Sequence, residues 1–102
     1  MSKFSLFGKF TVEEENRDLL TDILLEAAES MRDFEACEVY IVSVSESEAD
    51  TVYVYETWRD EDAHQASLSL EATQRLISRA KPIITGMERI QSLKTLGGKG
   101  IQ

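Results

Sequence analysis

The sequence predicts an α+β domain of ferredoxin-like type, β-α-β-β-α-β, with an antiparallel sheet under two helices. Three observations predict it: four segments alternate in polarity at every second residue, two segments repeat at helical spacing, and they follow one another in that order. At 102 residues the chain fits one domain. We place its core at about residues 4–96 and read the glycine-rich end, 97–102, as a flexible tail.

"FSLFGKFTV" (4–12) sets Phe4, Leu6, Phe10 and Val12 on one face and Phe7 on the other, which is a strand. Thr11 and Glu14 have capping-box spacing, and an acidic run suits a helix start. Leu20, Ile23, Leu24, Ala27 and Met31 then share one side of a helix over 13–32. "CEVYIVSV" (37–44) is the second strand, with Cys37, Val39 and Ile41 on one face and Tyr40, Val42 and Val44 on the other. "TVYVYETW" (51–58) is the third: Val52, Val54, Glu56 and Trp58 face one way, Tyr53, Tyr55 and Thr57 the other. The polar "SESEAD" between them is a hairpin connection. Asp60 caps a short helix over 61–66, and a longer one over 69–81 turns Leu70, Thr73, Leu76, Ile77 and Ala80 inward before Pro82. "ITGMERIQSLKTL" (84–96) alternates loosely and is the last strand.

Nineteen acidic against eleven basic side chains give a net charge of −8, which argues against nucleic acid and anionic membranes as partners. No apolar run approaches the roughly 20 residues of a membrane span, and the first residues carry no signal-peptide pattern. One cysteine permits no intrachain disulfide, so the expected compartment is the reducing cytoplasm. A single Cys and a single His do not make a zinc site of the usual N/S type, and phosphate-cradling glycine motifs are missing. We therefore expect no metal and no cofactor.

In a two-layer domain the face away from the helices should read polar. Here the middle strands are apolar or aromatic on both faces, so either the Val39/Ile41 set or the Tyr40/Val42/Val44 set is left uncovered. An apolar patch of that size marks an interface, and a two-fold homodimer is the simplest cover.

"CEVY" opening a strand, followed by "VYVYETWRDEDAHQAS" running from a strand into a helix, resembles the antibiotic biosynthesis monooxygenase family of the dimeric α+β barrel superfamily. The matching features are Cys37 with Tyr40, the E-x-W of Glu56 and Trp58 at a strand end, and the acidic helix start at Asp60, Asp62 and Ala63. Arg17 stands where the family commonly has a Lys or Arg early in its first helix, and the likeness spans about residues 4–96. It implies subunits paired sheet to sheet and a pocket in each subunit between sheet and helices. It also implies oxygenation of electron-rich phenols or quinols by O₂ without metal or flavin. Haem-degrading relatives use a helix His and an Asn on the first strand. Here that strand has no Asn and the later long helix no His, which argues against haem. Val54 replaces an Asn common in anthrone oxygenases.

On this reading Trp58, Val54 and Tyr40 are the candidate substrate-binding residues, and Glu56 and His64 the candidate catalytic ones. Trp58 either walls the pocket, stacking on an aromatic, or plugs the core at a strand end. A half-buried Glu56 either takes a phenolic proton or holds an Arg or a helix N-terminus. His64 either assists that proton transfer or lies exposed among acids. Tyr40 either donates into the pocket or belongs, like Tyr53 and Tyr55, to the dimer face. Cys37 is a small strand thiol. The function expected is a cofactor-independent monooxygenase for small phenolic or quinol-type aromatics. The alternative is a non-catalytic dimeric module that binds a hydrophobic aromatic small molecule or serves as a stress accessory.

Overall fold

The first and last strands of the chain lie side by side. The computed structural model describes residues 2–101. In it β1 (Lys3–Val12), β2 (Cys37–Val44), β3 (Thr51–Trp58) and β4 (Ile84–Thr95) form one sheet in the order β2-β3-β1-β4, antiparallel at every pairing. The helices are α1 (Arg17–Ser30), the short α2 (Glu61–Ser67) and α3 (Glu71–Ala80). This is the ferredoxin-like α+β order that the alternation predicts. None of the helices among the described residues is long and apolar enough to cross a membrane.

Val12, Val52 and Val54 of the sheet pack against Leu20, Ile23 and Leu24 of α1 and Ala80 of α3. Burying each such aliphatic side chain contributes roughly 1.5–3 kcal/mol. A second cluster at the sheet's other end joins Trp58 to Met31, Ala36 and Ala63. The structure decides which strand face is covered: Tyr40 and Val42 pack on the core, whereas Ile41 lies 52% exposed on the open side. There Phe7 stacks on Tyr53, ring centres 5.8 Å apart, and tilts against Tyr55. Beside these rings the fully buried Ser5 hydroxyl bonds Thr57 at 2.7 Å and also Thr95, linking three strands.

Four local expectations are corrected. No capping box forms, because Thr11 stays in β1 and the helical stretch opens instead with a 3₁₀ turn, Glu14–Asn16. Cys37 does not share a face with Val39 and Ile41: a register shift at Glu38 sets it opposite Trp58 and packs it on that cluster. Ile77, expected inward, borders the space between sheet and helices but is not packed there and stays 43% exposed. The loose alternation of the last strand is a bulge. Phe7 pairs with Gln91 and Gly8 with Arg89, leaving Ile90 without an opposite residue. A β-carbon at Gly8 would come within 3.1 Å of the Glu88 carbonyl, so only glycine fits this close approach without displacement.

Candidate functional site

The period of two in β3 puts Val54, Glu56 and Trp58 on the covered face, and the β2–β3 register sets Tyr40 opposite Glu56. The Asp60 carboxylate accepts the Ala63 N–H at 2.7 Å and starts α2 at the end of that strand. One helical turn on, His64 is carried back over Trp58, the two rings edge to face at 5.5 Å. Phe4 of β1 flanks the imidazole at 5.6 Å, and Phe34 meets the indole edge-on.

Between sheet and helices lies a cavity of about 640 Å³, within the range of small-molecule sites. Tyr40, Val54, Glu56, Trp58 and His64 all line it, together with Leu6, Gly8 and Phe10 of β1 and Leu76 of α3. Most of this wall is apolar, so the few polar groups fix how a ligand lies.

Glu56 is the hub of those groups. Its Oε1 accepts the Trp58 indole N–H at 2.8 Å and stands 3.6 Å from His64 Nε2. The second distance is too long for a hydrogen bond but close enough for strong attraction once the imidazole is protonated. The Glu56 side chain is 18% exposed, so its charge is largely withdrawn from solvent. His64 Nδ1 and Thr73 Oγ1 are buried without a partner, a deficit of about 1–3 kcal/mol for each such group. Burial, followed by the Glu56 and Cys37 charges, raises the Tyr40 phenol above its ordinary value, so it remains a hydrogen-bond donor. Burial first, then the Glu56 and Glu38 carboxylates, pushes Cys37 up to about 11, which keeps the thiol protonated at neutral pH.

Arg17 is not at the cavity. Its guanidinium donates to the backbone oxygens of Glu48 (3.0 Å) and Ser45 (3.4 Å), tying α1 to the β2–β3 hairpin. Sequence reasoning missed Gly8, Lys81 and Arg89, which also line the cavity. The available signals were a glycine inside a strand pattern and the faltering alternation of the last strand. Among the described residues no three His, Cys, Asp or Glu side chains gather as a metal site.

The sequence profile of one protein family, described as antibiotic biosynthesis monooxygenase, matches residues 4–79. A candidate antibiotic biosynthesis monooxygenase from Chloroflexus aurantiacus J-10-fl is 33% identical and superposes with a TM-score of 0.88, covering 99% of this chain and 100% of that one. A candidate of the same kind from Caulobacter crescentus CB15 shares the fold at 15% identity, with a TM-score of 0.85 and coverage of 94% and 92%. A conserved protein of unknown function from Bacteroides thetaiotaomicron VPI-5482 shares it at 18% identity, with a TM-score of 0.83 and coverage of 91% and 97%. Among curated proteins none matches the sequence.

Proposed function

The chain belongs to the antibiotic biosynthesis monooxygenase family, and from that premise we propose that it oxygenates a small phenolic or quinol-type aromatic with O₂, using the Glu56–His64 pair as proton acceptor. The observation that carries this reading is the Glu56 carboxylate. It is oriented by the Trp58 indole, faces His64, and stands in the wall of an otherwise apolar cavity. The two act together in this reading: His64 Nε2 lies 3.6 Å from Glu56 Oε1, so a proton taken by the imidazole is held beside the carboxylate charge. Trp58 and Val54 form the wall on which the aromatic ring lies, and Tyr40, opposite Glu56, donates to the substrate oxygen.

The chemistry then balances without a further reagent. The phenol gives its proton to the pair and becomes a phenolate. One electron passes to O₂, giving a phenoxyl radical and superoxide, which join at the unsubstituted para carbon. The peroxide takes up a proton, the para carbon loses its own, and the O–O bond breaks to expel hydroxide, which leaves as water. Phenol plus O₂ thus becomes para-quinone plus water, and the largely apolar cavity holds the reactants in place. The test is O₂ uptake with 1-naphthol, with 1,4-naphthoquinone read by absorbance. Uptake no faster than in buffer, at concentrations where calorimetry shows 1-naphthol bound, would sink the reaction and leave a non-catalytic binding module.

The protein acts as a homodimer in this proposal, with the Ile41, Phe7, Tyr53 and Tyr55 face covered by a second copy. The support is that aromatic surface on a sheet whose other face is already packed. Light scattering after size exclusion should give twice the 11.5 kDa chain mass, and a monomer at micromolar concentration refutes it. The lone thiol fits a cytoplasmic setting.

A further inference from the structure

Cations are scarce on this chain, and seven of the eleven are engaged. Lys3, Lys9, Arg32, Arg59, Arg75 and Arg79 pair with carboxylates, and Arg17 holds backbone oxygens. Among the described residues Lys81, Arg89, Lys94 and Lys99 show no such partner, and two of these four, Lys81 and Arg89, line the cavity. In a protein with nineteen acidic side chains, cations left unpaired at a cavity are the reverse of what the net charge favours.

The bulge explains how Arg89 comes to be there. In an unbroken ladder Ile90 would pair with Gly8, Arg89 with Lys9 on the open face, and Glu88 with Phe10 on the cavity face. With Ile90 set aside, Arg89 pairs with Gly8 and takes the cavity-face position, while Glu88, paired with Lys9 and 3.7 Å from its ammonium, borders the cavity as well. Gly8, opposite Arg89, also lines the cavity and adds no side chain there. Glu56 lies opposite Leu6 on the other side of β1. Two residues along the strand and two strands across put the Arg89 and Glu56 backbones about 12 Å apart, the span of a two-ring aromatic with substituents at both ends.

We propose that the substrate is a hydroxyaryl carboxylate, its phenol directed to the Glu56–His64 pair and its carboxylate held at the far end by Arg89, with Lys81 adding positive charge there. This rests on the reading of the cavity as an aromatic site. The planar guanidinium suits a carboxylate, presenting two parallel N–H donors to its two oxygens. Because both cations are solvent-exposed, the gain is modest and sensitive to salt.

The test compares 5-hydroxynaphthalene-1-carboxylate with its neutral carboxamide by isothermal titration calorimetry at low ionic strength. Affinity for the carboxylate should be about threefold to tenfold higher, and 0.5 M salt should erase most of the difference. Arg89→Gln should bring the two probes to within about twofold while leaving carboxamide binding unchanged, and Lys81→Gln should narrow the gap by a smaller factor. Circular dichroism checks that both variants stay folded. Equal binding of the two probes by the native protein overturns the proposal, as does a preference that survives Arg89→Gln, or no binding of either probe at millimolar concentration. A carboxylate preference lost in Arg89→Gln, but without O₂ uptake, upholds the anion subsite and defeats only the monooxygenase reading.

Discussion

Replacing Glu56 by glutamine separates its observed bond to Trp58 from the proton-accepting role proposed for it, since the amide keeps an oxygen for the indole but cannot accept a proton. In the native protein that indole donates 2.8 Å to a carboxylate whose side chain is 18% exposed. Hydrogen bonds to charged acceptors contribute about 1.5–3 kcal/mol and neutral ones about 0.5–1.5, so Glu56→Gln should cost about 1 kcal/mol. For a chain this size that lowers Tm by roughly 4–8 °C, compared at one protein concentration. Removing the proton acceptor has a larger effect on rate, because a positioned base contributes about 10²- to 10⁴-fold. The prediction is therefore a folded variant with a modestly lowered Tm, unchanged calorimetric affinity for 1-naphthol, and O₂ uptake reduced at least a hundredfold. If uptake in Glu56→Gln stays within threefold of native while Tm falls as stated, Glu56 is only a strut for Trp58, and the assignment of the base is wrong.

Trp58→Phe removes the indole donor and leaves the half-enclosed carboxylate short of a partner, which should destabilise by about 1–3 kcal/mol in urea titrations. Gly8→Ala sets a methyl 3.1 Å from the Glu88 carbonyl and should cost about 1–3 kcal/mol by the same measurement, because the bulged backbone must move. Cys37, raised to about 11, should be alkylated by iodoacetamide at pH 8 about a hundredfold more slowly than a free thiol, a difference that vanishes in urea. The same shift fixes the sign of a pH effect. The stability it confers is full below the ordinary thiol value and lost as pH climbs towards 11, because the unfolded chain releases that proton first. Cys37→Ala should accordingly show a shallower alkaline decline.

Much of the site was legible because it depends on local periodicity. A strict alternation from Val52 to Trp58 puts Glu56 and Trp58 on one face whatever the rest of the chain does, and Asp60 starts a helix whose first turns carry His64 back over them. What escaped depends on pairing between distant segments. Whether Cys37 faces Trp58 or solvent turns on one extra residue at Glu38, and whether Arg89 or Ile90 stands opposite Gly8 turns on one at Ile90. At Ile90 only Gly8 and a faltering alternation hint at a bulge and at Glu38 nothing does, and neither hint says which residue is set aside, since each bulge is a compromise between two strands. The Ser5–Thr57–Thr95 hydroxyl link is similarly invisible, as three small polar residues in separate strands read one by one as solvent-facing. The missing capping box is a different failure: the Thr11 and Glu14 spacing was right, but pairing with β4 held Thr11 in the sheet.

The edge-on contact between His64 and Trp58 also makes this a self-reporting protein. The chain has one tryptophan and one histidine, and both stand at the cavity. Indole emission therefore comes from a single address, and protonation of the neighbouring imidazole or arrival of an aromatic guest alters it with no background from elsewhere in the chain. The imidazole gives one set of ring resonances on the same terms, so occupancy and protonation state are each readable without a label.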